Sequence, residues 1–231
     1  MRGPLDIHQF LLAHDVHHEI VRIPRNAAGS QGAISLAQAL GLPERRCVAV
    51  HPYRAPDISA DRLALLLAPA DTVIDDAVMG QRLSKALSTH AISARRGQAP
   101  DPCAVFVPAG AELVSRRTDY LAGHVAPLLL PPDVEVVALQ SLADLATTVV
   151  YTATGDIGTA LGLRALDLLV LSKATVLPLS DRDARRRPVR IDLNPAHAML
   201  DAGGDALAPA VPASRGSAPR HAAASVAPVA S

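Results

Sequence analysis

A break in composition near residue 181 divides this 231-residue chain into two parts that cannot behave alike. Before it, large apolar side chains recur every few positions. From Asp181 to Arg190 the run DRDARRRPVR holds five Arg in ten residues, and beyond Asp201 the chain is mostly Ala, Pro, Ser and Gly. A segment so poor in large apolar groups cannot bury enough surface to offset the entropy of ordering it. We therefore expect residues 1–180 to form the folded domain and residues 181–231 a disordered tail. With 49% hydrophobic residues overall, the first part can hold a core of ordinary size. Lys+Arg and Asp+Glu both number 22, so the formal charge is zero, yet the tail is net +2, with seven Arg against five Asp, and the first 180 residues net −2. No global field recruits nucleic acid; any RNA contact has to come from a local patch. The tail itself reads either as a solvated linker end or as a contact for RNA or an acidic partner.

Two cysteines, Cys47 and Cys103, exclude a disulfide framework and a four-cysteine zinc site, and a reducing cytoplasm fits them best. The N-terminus reaches Asp6 and His8 before any apolar leader can form, and no apolar run approaches the ~18 residues of a membrane span, so a soluble, cytoplasmic protein is expected. With no Trp, two Phe and three Tyr, the chain lacks the aromatic platforms on which single-strand readers stack bases.

Leu5, Ile7, His8, Leu11 and Leu12 recur at helical spacing, and a strand from His18 to Ile23 is stopped by Pro24. Gly32–Leu40 predicts a second helix closed by Gly41. Cys47–His51 reads as a buried strand, Pro52–Asp61 as a loop, Leu63–Leu67 as a strand and Asp75–Leu87 as a helix. Further strands are expected at Ile92–Ala94, Ala104–Pro108, Val134–Ala138 and Thr148–Thr152, with a helix near Leu166–Leu171. Short strands and helices mix without regular alternation, which favours an α+β domain over a doubly wound sheet.

Most chemistry-bearing patterns have a plain explanation. His14, His17 and His18 would lie on one face if they shared a helix, but the metalloprotease pattern with its Glu is missing, and helix-end histidines account for them. We expect no metal. Gly155, Gly158 and Gly162 follow a strand, yet neither the dinucleotide fingerprint nor a P-loop Lys-Ser/Thr is present, so a turn joining two strands is favoured. There is no Gly-x-Ser-x-Gly elbow; Cys47 lies in an apolar strand and Cys103 between Pro102 and the apolar stretch beyond it, both read as inert. Asp75 and Asp76 open a helix, where negative charge is favoured without catalysis.

One constellation resists such explanations. The stretch Tyr120-Leu121-Ala122-Gly123-His124-Val125-Ala126-Pro127 is followed 28 residues after the Pro by Gly155, and preceded by Ala39-Leu40-Gly41-Leu42-Pro43-Glu44-Arg45 and by Leu65-Leu66-Leu67-Ala68-Pro69-Ala70-Asp71-Thr72 with Asp75. In order and spacing these pieces, covering about residues 5–180, resemble the YbaK family of aminoacyl-tRNA deacylases, which includes the editing domain inserted in bacterial prolyl-tRNA synthetase. The resemblance implies a compact α+β domain with a curved, mixed, mainly antiparallel sheet flanked by short helices. It also implies hydrolysis of the ester that joins a wrong amino acid to the tRNA 3′-terminal ribose, with aminoacyl-tRNA as partner, an aminoacyl-tRNA synthetase as a further one, and no metal or organic cofactor. The Gly-x-x-x-Pro loop, here Gly123, His124, Val125, Ala126 and Pro127, would line the pocket and hold the aminoacyl group by its backbone, whose N–H groups can stabilise an oxyanion while the tRNA's neighbouring hydroxyl helps activate water. Selection among small amino acids would follow pocket size, worth ~1–3 kcal/mol per methylene.

This sequence departs from the family at telling places. Where many members carry a Lys-Thr pair in the strand after the second helix, it has Val48-Ala49, and near Gly155 a family Ser and Asp correspond to Ala153 and Ala160. Losing a charge-assisted bond costs on the order of 1–3 kcal/mol. Arg45 and Arg46 could supply a bidentate fork to phosphate instead, or be a solvated pair at the strand entry. His124 could act as general base, or simply face solvent. Two classes of function follow: a free-standing trans-editing deacylase, and a noncatalytic binding module for aminoacyl-tRNA, a small molecule or a protein, which the apolar Val48, Ala153 and Ala160 favour. A hydrolase of simple esters is a third, weaker reading.

Overall fold

The computed structural model describes residues 2–24, 33–55, 62–94 and 105–178. The readings made for the tail (181–231), for Cys103 and for Ala104 lie outside these residues.

Helix α1 (Pro4–Ala13) starts on a proline whose fixed φ suits the first turn, and the Asp6 carboxylate folds back to accept the Gly3 amide at 2.9 Å. Its Ile7 and Leu11, one turn apart, are both fully buried. Strand β1 (His18–Arg22) and helix α2 (Ala33–Leu40) follow, and a short 3-10 turn over Glu44–Arg46 leads into β2 (Val48–Ala55). Then come β3 (Arg62–Pro69), α3 (Asp76–Ala94), β4 (Val107–Pro108), α4 (Ala111–Thr118), β5 (Val134–Leu139) and α5 (Gln140–Ala143). The last described elements are β6 (Val149–Ala153), β7 (Thr159–Arg164), α6 (Ala165–Leu171) and β8 (Thr175–Leu177).

The strands form two sheets. One is antiparallel with order β1-β7-β6; the other, β4-β2-β3-β5-β8, is antiparallel from β4 to β3 and parallel from β3 to β8. An isolated parallel bridge, Cys47 with Tyr151, joins them. The expected α+β class with a mixed, mainly antiparallel arrangement and short helices is what the protein has, in two sheets joined by that bridge.

Strand β3 is the centre of the larger sheet and is buried on both faces. Leu63, Leu65 and Leu67 face a cluster containing Ile7, Leu11, Val136, Val150 and Leu161. Ala64, Leu66 and Ala68 face Met79, Leu83 and Leu87 of α3. Two-sided burial explains why β3 reads as an unbroken apolar run rather than an alternation.

Several boundaries differ from expectation. Residues Ile92–Ala94 are the last turn of α3, not a strand: a lone Ile favours extended backbone locally, but the helix carries through it. Strand β2 does not stop at Pro52. The Pro52 carbonyl points away from β3 and accepts the Ala109 amide at 2.9 Å, so the donor that proline lacks would face the side where β4 supplies only two residues. Asp75 caps α3, its Oδ1 accepting the Ala77 and Val78 amides at 3.0 and 3.1 Å, whereas Asp76 turns inward to accept the Tyr53 hydroxyl at 2.6 Å. Gly155 and Gly158 lie in the turn between β6 and β7, and Gly162 falls within β7. The three N-terminal histidines do not share a helix, because α1 ends at Ala13; His14 turns back to the Phe10 carbonyl and His18 opens β1.

Candidate functional site

The loop that follows α4 is built around Tyr120. This side chain is fully buried, and its hydroxyl donates to the Leu128 carbonyl at 2.9 Å, closing the intervening residues into a compact Ω-like excursion. The loop's entry is fixed by the Ala122 amide on Ser115 Oγ (3.0 Å) and by the His124 amide on the Leu121 carbonyl (2.9 Å). Between these bonds Gly123 has φ +84°, a conformation that a side chain with Cβ enters only at a cost. Gly123 is exposed; from His124 to Leu128 the chain runs inward and every residue is buried.

Within that buried stretch the amides of Val125 and Ala126 donate to no acceptor among the described residues. Successive amides left open in a fixed, water-poor loop are the donor set that a developing oxyanion requires. His124 is 9% exposed rather than facing solvent. Burial holds its imidazole below the usual histidine range, against the smaller opposing pull of the Asp156 carboxylate, so the ring is neutral near pH 7.

Asp156 belongs to the β6–β7 turn, which packs directly on this loop. Gly155 has φ +88°, and a Cβ there would lie 2.6 Å from the Arg2 carbonyl oxygen and 2.7 Å from Tyr120 Cδ1. Thr154 and Thr159 close the turn with their hydroxyls 2.6 Å apart. The Gly123–Pro127 loop and Gly155, far apart in sequence, are therefore neighbours through Tyr120.

Val48 shares its core cluster with Val125 and Ala126. The Cys47–Tyr151 bridge sets its register: Val48 lies beside Thr152, on the opposite face from Cys47 and Tyr151. Thr152 is fully buried and its hydroxyl has no partner among the described residues. Ala153 and Ala160 pair with each other and share the Tyr151 face, so the three apolar departures from the family pattern do not line one surface. Arg46 is on that other face as well, its Nε donating to the Val149 carbonyl at 3.1 Å and its guanidinium 5.7 Å from the centre of the Tyr151 ring. Arg45, one residue earlier, is exposed. Burial pushes the Cys47 thiol up to about 11, which makes it unreactive at neutral pH. Among the described residues no three His, Cys, Asp or Glu side chains gather as a metal centre.

Tyr120, Asp156 and Thr152 were not singled out from the sequence. Tyr120 heads the resemblance but gives no local sign of its role, while alternate Thr152 and Thr154 in an otherwise apolar strand were a readable hint of hydroxyls turned inward.

Two sheets joined by one bridge, with a buried loop packed against the β6–β7 turn, make up a fold that solved structures share. A structure described as a candidate trans-editing enzyme for prolyl tRNA synthetase matches with a TM-score of 0.54 at 17% identity, over 77% of this chain and 96% of that one. A structure described as a hypothetical protein matches at 0.51 and 18%, over 74% and 95%. A scaffold from epitope backbone grafting by computational design matches at 0.55 and 18%, over 77% and 97%. These likenesses establish a shared fold. No family model and no curated protein matches the chain. No helix among the described residues is long and apolar enough to cross a membrane.

Proposed function

We propose that this protein is a cytoplasmic trans-editing hydrolase that cleaves the ester of mischarged aminoacyl-tRNA. The observation that carries the proposal is the Gly123–Pro127 loop, buried from His124 onward, whose Val125 and Ala126 amides have no partner among the described residues and lie beside a neutral His124. A water oxygen attacks the ester carbonyl carbon while His124 takes one of its protons. The two amides hold the resulting oxyanion. Collapse breaks the bond from the carbonyl carbon to the ribose oxygen, which takes the proton back from His124, and free amino acid and tRNA result. Val48, Val125 and Ala126 give the surroundings of the aminoacyl group an apolar character suited to a small side chain. Arg45 is placed in the open, where a tRNA phosphate could meet it; Arg46 would have to leave the Val149 carbonyl to do the same.

The test is release of amino acid from Ala-, Ser-, Thr- and Cys-tRNA by the purified full chain. Hydrolysis of any of them above the spontaneous rate supports the proposal. Silence across the panel together with measurable tRNA binding supports the second reading, a noncatalytic aminoacyl-tRNA module, which the enclosure of Val48 in apolar core favours.

His124 gives the proposal a pH signature. Its proton affinity is lowered on folding, so below the ordinary histidine range the unfolded chain binds a proton that the folded chain does not. Its contribution to stability is complete above that range and is lost as pH falls from it to the lower value of the folded chain, below which both states hold the proton. The deacylation rate should likewise persist to lower pH than an exposed histidine base would allow. Replacing His124 with Ala should lower kcat roughly 10²-fold or more, the ordinary share of a general base, and remove the acid limb of the kcat profile; a variant with unchanged kcat and profile excludes His124 as the base.

A further inference from the structure

We propose that the chain's own residues Val189–Leu193 dock as a fourth strand on the open edge of β1. Strand β1 ends the three-stranded sheet, with β7 on one side and no strand on the other among the described residues. The register fixes which of its backbone groups are open. Ile23, next in line after Arg22, donates its amide to the Gly158 carbonyl at 2.8 Å, so Ile23 and every second residue before it, Val21 and Glu19, turn their polar groups to β7. Those of His18, Ile20 and Arg22 point the other way, and no backbone partner meets them among the described residues. Neither a proline nor a lysine within the strand guards this edge. Beside it, between α1 and β1, lies an open groove of about 640 Å³ whose apolar wall is Leu12, Val16 and Ile20, and Leu12 is 60% exposed. A row of open donors and acceptors next to an apolar groove is what an added strand with alternating side chains requires.

The occupant follows from the sequence. Val189-Arg190-Ile191-Asp192-Leu193 is the only stretch of the tail in which large apolar and charged residues alternate. In the antiparallel register that sets Arg190 opposite Glu19, Val189 falls opposite Ile20, Ile191 opposite His18 and Leu193 opposite Val16. The three apolar side chains then share the groove face, and Arg190 meets the exposed Glu19 on the other face, at a position of the kind where opposed side chains come closest. Glu19 Oε1 already accepts the Tyr151 hydroxyl at 2.6 Å, which leaves Oε2 for the guanidinium. Pro188 falls opposite Val21, whose polar groups face β7, so its missing hydrogen costs no bond. The tether permits the contact: from Pro178, the last described residue, the chain to Val189 reaches about 36–40 Å when extended, comparable to the roughly 40 Å width of a domain of this size.

The test is amide hydrogen exchange of the full chain, followed residue by residue by nuclear magnetic resonance. The His18 and Ile20 amides should exchange at least tenfold more slowly than unbonded amides. Ile191→Pro, which removes the donor facing the His18 carbonyl, should abolish that protection while Glu19 and Val21, bonded to β7, keep theirs and so show that the variant is folded. Arg190→Glu should weaken the protection, and Glu19→Arg added to it should restore it in part. Unprotected His18 and Ile20 amides in the wild type, or protection that survives Ile191→Pro, overturns the inference. So does protection that grows with protein concentration alongside a dimer in sedimentation, which assigns the edge to a second copy of the chain.

Discussion

Gly123→Val should reduce deacylation of mischarged tRNA by at least 10²-fold while the far-ultraviolet circular dichroism stays native. The residue sits at φ +84°, where an L side chain costs roughly 1–2 kcal/mol and a β-branched one more. The loop can escape that strain by rotating the following peptides, since Gly123 is exposed and not itself held by packing. Such a rotation moves the Val125 and Ala126 amides away from the carbonyl oxygen they would stabilise, and removing one oxyanion donor typically costs 10²–10³ in rate. Gly123→Ala should fall between. Full activity in Gly123→Val would remove the loop from the mechanism.

Gly155→Val should act on stability instead. A Cβ at this position meets the Arg2 carbonyl oxygen at 2.6 Å and Tyr120 Cδ1 at 2.7 Å, at a φ of +88°. The first obstacle is backbone, and the second is a buried ring tied by its hydroxyl to Leu128, so neither yields cheaply. Overpacking and positive-φ strain together should cost roughly 3 kcal/mol or more. Thermal denaturation should show a Tm lower by roughly 6–12 °C, from a shift of about 2–4 °C per kcal/mol in a domain of this size. Gly158→Ala, whose Cβ meets nothing closer than 3.5 Å, is the internal control and should leave Tm nearly unchanged. Equal stability of the two variants would mean that the turn does not rest on Tyr120 as described.

What could be read from the sequence was what local pattern controls. The apolar run of β3, the cap at Asp75 and the turn after β6 follow from side chains within a few residues of one another. Helix α4 was missed because it buries only Val114 and Thr118, one pair four residues apart, amid four charged or polar neighbours. Strand β7 was taken into the glycine turn because Gly162 interrupts its apolar run; its neighbour across the strand, Tyr151, reaches over it to donate to Glu19 at 2.6 Å. The site divides the same way. Gly123, His124 and Pro127 are consecutive enough to be noticed, but the loop's course rests on the buried Tyr120, and a carboxylate that acts on His124 comes from Asp156 in a distant turn. The placing of Val48 beside Thr152 depends on a single bridge between residues about a hundred positions apart, which no local pattern announces.

Pro52 has a last consequence, for colloidal behaviour. Along the outer side of β2, Tyr151 bridges at Cys47 and β4 pairs from Tyr53 onward, leaving only a few residues between them without a strand partner on that side among the described residues. The proline stands at the end of that gap with no hydrogen to offer and with its oxygen already taken by Ala109. An intruding chain would find too short a run of free partners to zip along it. The central sheet is thus guarded there against edge-to-edge aggregation without a single lysine, in a protein that has only two.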